Sequence, residues 1–112
     1  MTTESFRSTR DVIVRTNDFD EATRFYEHVL GLPVTMREAG LVGFETGAFQ
    51  LFVERGSDPH GPVFDMRVAE VASAKRELVL AGCTVVEENP KVPRCYLRDP
   101  YGLVFNLDRT SE

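Results

Sequence analysis

Arg15 and Arg67 stand 52 positions apart in similar surroundings, each in an alternating run with an aspartate shortly before it, Asp11 in one and Asp65 in the other. A guanidinium is a planar fork of donors suited to gripping a carboxylate or phosphate. The acids Asp11, Glu54, Asp65 and Asp108 can draw a cation, and Asp11 or Asp65 could serve as a base. The same charges can instead answer one another, Asp65 with Arg15 and Asp11 with Arg67, leaving a filled, satisfied interior. Other reactive side chains are few. His28 falls near the end of a helical segment, on its solvent side, and His60 lies in a turn-rich stretch. Cys95 alternates with Tyr96 on a strand and has no histidine at a matching spacing, which disfavours a nucleophilic thiol. No Gly-rich segment opens a helix to cradle phosphate, and no serine sits in a G-x-S-x-G turn.

The elements that must position these residues are written twice. Residues 11–18 alternate in a β-branched run and predict a strand. Asp18 to Glu21 has the spacing of a helix N-cap, and Phe19, Ala22, Tyr26 and Val29 follow at helical spacing, with Gly31 as the stop. Val63–Ala69 then predicts a second such strand, and Val71, Ala74, Leu78 and Ala81 a second helical stripe ended by Gly82. Three strand-like runs follow each helix: 34–38, 41–45 and 49–54, then 84–88, 94–98 and 103–108. The chain is therefore expected to be a single α+β domain of paired βαβββ modules, module one about 9–56 and module two about 62–110. The linker, about 56–62, is rich in turn formers. A ferredoxin-like sandwich is disfavoured because three strands after each helix is one too many. Neither module can bury both faces of its sheet alone, so a curled mixed sheet around a cavity is expected.

Strand parity sorts the side chains. Val12, Val14 and Thr16 should back the first helix, leaving Asp11, Ile13 and Arg15 on the opposite face. Phe64, Met66 and Val68 should back the second, leaving Val63, Asp65 and Arg67. A slip of one residue would reverse every side chain. The expected lining is completed by Gln50, Phe52, Glu54, Val104, Asn106 and Asp108, with Tyr96 and Tyr101 near the mouth or, for Tyr101, on an exposed turn. Apolar walls with a few polar groups suit a small-molecule pocket.

Composition narrows the classes. The chain has 112 residues, 42% hydrophobic and 28% charged, which fits one globular domain. A net charge of −5 argues against nucleic acid and anionic membranes as partners. No apolar run approaches the roughly 20 residues of a membrane helix, and the N-terminus lacks the apolar core of a signal peptide, reading as a short tail. Cys83 and Cys95 are the only cysteines, which suits two buried free thiols in a cytoplasmic, reducing compartment, with a bridge as the alternative.

Two stretches add a resemblance. Asn17-Asp-Phe-Asp-Glu-Ala-Thr-Arg-Phe-Tyr-Glu-His-Val-Leu-Gly-Leu32 and Leu97-Arg-Asp-Pro-Tyr-Gly-Leu103, with the repeat, resemble the vicinal oxygen chelate superfamily of glyoxalases, extradiol dioxygenases and bleomycin-resistance proteins. The resemblance spans about Arg10 to Arg109 and implies the glyoxalase/bleomycin-resistance fold. Metal-dependent members hold a divalent ion on four side chains, and the resemblance places those positions at Asp11, Phe52, Val63 and Asn106. Phe52 and Val63 carry no donor atom, so no metal and no cofactor is expected. The resemblance implies a metal-free protein that sequesters an aromatic or amphipathic small molecule, such as an antibiotic. Its site would draw on Asp11, Arg15, Phe52, Val63, Asp65, Arg67, Tyr96 and Asn106. The short linker suits a homodimer in which modules are exchanged. The rivals are a lyase, isomerase or dioxygenase-like enzyme and a dimerising module without ligand.

Overall fold

The computed structural model describes residues 5–57 and 60–110. The chain divides into two compact units. One is Arg10–Pro62; the other runs from Val63 onward and takes in the described residues up to Thr9.

In the first unit the order is β1 (Arg7–Thr16, from Arg10 on), α1 (Phe19–Arg24), a π-helical turn (Phe25–Val29), β2 (Val34–Glu38), β3 (Leu41–Glu45) and β4 (Gln50–Arg55). Its strands lie in the order β2-β3-β4-β1, with β4 parallel to β1 and the other pairs antiparallel. Leu51 and Val53 of β4 point to the helix side and bury with Phe19, Val42 and Phe44, while Val14, Ala22 and Tyr26 pack against them. Each such side chain contributes about 1.5–3 kcal/mol when fully buried.

The second unit repeats the plan with β5 (His60–Val68), α2 (Val71–Leu80), β6 (Thr84–Asn89), β7 (Arg94–Arg98) and β8 (Val104–Arg109). Its order is β5-β8-β7-β6, with β5 parallel to β8. Val68, Ala74, Leu97, Phe105 and Leu107 form its core together with both cysteines, which are free and buried. Phe64 and Met66 pack on that core, as the parity argument requires. The architecture is α+β with mixed sheets, the glyoxalase/bleomycin-resistance fold.

Two local expectations are corrected. The first helix does not keep its period to Val29. The Leu30 amide reaches back five residues to the Phe25 carbonyl at 3.1 Å, and the Leu32 amide reaches the Tyr26 carbonyl at 3.0 Å. The extra residue in that turn rotates the stripe, so Val29 is 69% exposed instead of packed. Asp18 occupies the N-cap position but makes no side-chain cap; its own amide instead donates to Thr16 Oγ1 at 3.0 Å. In the stretch expected to link the modules, β5 begins at His60 and the division between the units falls after Pro62; residues 58–59 and the His60 side chain lie outside the described residues. Gly31 (φ 69°) and Gly82 (φ 112°) follow the helical segments in left-handed conformations, the role expected of them. Among the described residues no helix is long and apolar enough to cross a membrane.

Candidate functional site

The face of the second sheet opposite α2 carries a buried polar cluster. Register pairs Asp65 with Asn106 across β5 and β8, and Asn106 with Tyr96 across β8 and β7. Asp65 is only 4% exposed, and its carboxylate is heavily satisfied. Asn106 Nδ2 donates to Oδ1 at 3.0 Å, while Arg67 Nε and Thr9 Oγ1 both donate to Oδ2 at 3.1 Å. Asn106 Oδ1 in turn accepts the Cys95 amide at 2.9 Å. A carboxylate buried without such donors would cost several kcal/mol. Arg67 turns from Asp65 toward the Arg109 carbonyl at 3.4 Å and lies 4.0 Å from Asp108. Beside Asn106, the Tyr96 ring lies under the Arg94 guanidinium at 5.5 Å, and Arg94 is held by Glu87 at 2.9 Å. Val63, two residues before Asp65 on the same face, is 1% exposed.

The corresponding face of the first sheet is built differently. Ile13 pairs with Phe52, Phe52 with Gly43, and Gly43 with Met36. A methyl group on Gly43 would come within 3.0 Å of the Phe52 ring and of Met36, and within 2.9 Å of Thr35 Oγ1. The missing side chain is what lets the aromatic ring settle against the strand. Phe52 is half-buried there. Asp11 pairs in register with Gln50, whose Oε1 accepts from Thr35 Oγ1 at 2.9 Å. Arg15 is 8% exposed and donates from Nε to its register partner Glu54 at 3.1 Å. Its aliphatic stem lies against Gly56, where any side chain would collide with it.

Asp65, Arg67, Asn106 and Tyr96 thus meet in one cluster in the second unit, and Asp11, Arg15 and Phe52 share one face of the first. Sequence reading missed Thr9, the Arg94–Glu87 pair and Gly43. Thr9 gives no signal, since its partner Asp65 stands 56 positions further along the chain. Gly43 does give one: a glycine inside an apolar strand marks close approach of a neighbour. Both thiols are pushed above their ordinary range by burial, with nearby Asp99 adding to the effect at Cys83 and Glu88 at Cys95. His28 is exposed beside Glu27, at 3.7 Å.

The metal positions implied by the family resemblance can be tested against these contacts. Phe52 and Val63 offer no donor, and both amide atoms of Asn106 are engaged within the protein. Among the described residues no group of three or more His, Cys, Asp or Glu side chains is disposed to hold a metal ion. The donor set does not fit a divalent cation.

With the two sheets and their faces defined, the class of protein follows. Residues 11–107 match the glyoxalase-like domain family, and the chain belongs to it. Solved structures share the fold. A Mn(II)-bound glyoxalase from Novosphingobium aromaticivorans is 21% identical with a TM-score of 0.62, over 95% of this chain and 40% of that one. An extradiol ring-cleaving dioxygenase from B. fuscum is 17% identical with a TM-score of 0.62, over 95% of this chain and 33% of that one. The chain therefore spans well under half the length of either. A glyoxalase/bleomycin resistance protein/dioxygenase superfamily member from Vibrio splendidus is 14% identical with a TM-score of 0.57, over 95% of this chain and all of that one. No curated protein matches the chain.

Proposed function

We propose that this protein captures a planar or amphipathic small molecule without a metal ion, and that the face of the first sheet around Phe52 is its contact surface. The observation carrying this reading is the seat of Phe52 on Gly43, flanked by Ile13 and Met36, at a position where a metal-dependent relative would present a donor. A ring held against a strand can stack on a planar ligand, worth about 0.5–1.5 kcal/mol beyond the area buried. Asp11 and Gln50 lie one step along the same face and would orient polar groups. In the second unit Asp65, Asn106 and Val63 serve as packed support, while Arg67, 31% exposed, is the member placed to meet an anionic group. The protein is a homodimer in this reading, its modules exchanged between chains, and works in the cytoplasm.

Titration with planar aromatic probes, followed by thermal shift, tests the reading. Stabilisation that Phe52→Ala weakens at least tenfold supports it; no shift with any probe rejects it. Elemental analysis of the purified protein with a glyoxalase assay separates capture from catalysis, and one tightly held metal ion per chain with turnover would establish the enzyme instead. Light scattering at a monomer mass would remove the dimer.

A further inference from the structure

The helix side of the second sheet carries a cavity that the reading above does not use. Its volume is about 320 Å³, within the range of small-molecule sites. Cys95 and Leu107, both buried members of the core beneath α2, form its floor. Val71, the first residue of α2, is one wall, and Pro90 and Pro93 from the β6–β7 connection form the lip. Alternation along β7 and β8 puts Cys95 and Leu107 on the face opposite Tyr96 and Asn106, so this cavity and the polar cluster occupy different sides of one sheet.

Charge around the opening selects an occupant. Glu88 is held by Lys75 at 2.8 and 2.9 Å, and Arg94 by Glu87 at 2.9 Å. Asp108 accepts the Arg109 amide at 2.8 Å and faces Arg67 at 4.0 Å. Arg109 also lines the cavity, on the same strand parity as Leu107, and its guanidinium has no acidic partner among the described residues. The acids at the rim are answered by bases within the unit, and one cation is left over. An apolar chamber with one unanswered guanidinium at its mouth complements a small organic acid, its hydrocarbon body inside and its carboxylate at the rim.

We propose that this cavity is a binding site for a small aryl or alkyl carboxylate, with Arg109 as the charge-recognising residue and Val71, Cys95 and Leu107 as the apolar contacts. The site is independent of the Phe52 surface, and either can fail without the other.

Benzoate is a suitable probe, with methyl benzoate as its uncharged counterpart, and amide chemical shifts of the full chain give the location. The expected result is saturable movement of the Val71, Cys95, Leu107 and Arg109 amides by benzoate with a Kd of about 1 mM, an affinity in keeping with so small a ligand. Methyl benzoate should bind at least tenfold more weakly. Arg109→Gln, at an exposed position where folding is not at stake, should weaken benzoate at least tenfold and leave methyl benzoate unchanged. Val71→Trp should fill the chamber and abolish both. Benzoate should also slow alkylation of Cys95 by iodoacetamide. The proposal is overturned if benzoate moves no amide of this set, if the moving amides are those of Asp11, Phe52 and Gly43, or if Arg109→Gln binds benzoate as well as the parent.

Discussion

Two rows of side chains occupy corresponding slots in the duplicated sheets and do opposite things. In the first unit the row is Ile13, Phe52, Gly43; in the second, 52 to 54 positions later, it is Asp65, Asn106, Tyr96. One row is apolar and opens space by omitting a side chain. The other is polar and fills its space with bonds to Thr9, Arg67 and the Cys95 amide. The arginines show the same divergence on a finer scale. Arg15 meets a glutamate across the parallel pair at 3.1 Å, whereas Arg67 faces a shorter aspartate at 4.0 Å and turns back to Asp65. Duplication of the backbone frame sets where side chains point, and each copy then decides separately whether that face is tied together by hydrogen bonds or left apolar.

The contrast can be broken most forcefully at Asp65. Asp65→Ala should cost about 3–5 kcal/mol, because it strands the buried Asn106 amide and takes a charged acceptor from Thr9 and Arg67, measured as a loss of urea midpoint with an unchanged slope. If that variant is as stable as the parent, the polar row is not structural. Next comes Gly43→Leu, which should displace the Phe52 ring and destabilise by about 1–3 kcal/mol through overpacking, while abolishing the stabilisation given by aromatic probes. Retained probe binding would detach Phe52 from the site.

The two units should also respond to opposite ends of the pH scale. In the first, the Arg10 guanidinium at 2.6 Å and the Gly47 amide at 2.7 Å hold the Glu45 carboxyl below its ordinary range. That contribution is present above the unfolded carboxylate value and is lost as acid protonates the folded group. In the second, burial raises the Cys83 and Cys95 thiols, and Glu88 raises Lys75. These contributions are complete below the unfolded values and fade as pH rises. Thermal melts from about pH 8 to about pH 10, across the ordinary thiol value, should show the midpoint falling. Cys83→Ala with Cys95→Ala should flatten that fall; an unchanged slope would remove the thiols as its cause. The smallest effect is expected for Val29→Ser, within about 0.5 kcal/mol, since that side chain has left the core. A loss above about 2 kcal/mol would restore the regular helical stripe.

Much of this frame was legible in the residues. Strands 34–38, 41–45 and 94–98 coincide with the runs read from alternation, since flanking turn formers mark both ends. The faces followed too: the core takes Phe64, Met66, Val68, Leu51 and Val53, as parity demands. The wide turn at Phe25–Val29 was not legible, because a stripe is counted on 3.6 residues per turn and nothing in Phe-Tyr-Glu-His-Val announces a longer one. Nor were partners: that Asp65 would take Thr9, Arg67 and Asn106 depends on strand register set by the whole sheet. The candidate residues could be named from one sequence, but their division into a hydrogen-bonded row and an apolar row could not.

The wide turn also sets a weak point. Phe25, Val29 and Leu30 spend their apolar surface on solvent, so little burial resists local opening of this stretch. In deuterium oxide, the amides of Leu30 and Leu32, bonded back into the wide turn, should lose their protons well ahead of that of Ala74, fully buried in the first turn of α2. The first unit therefore has a seam along which it can loosen while its strands stay paired.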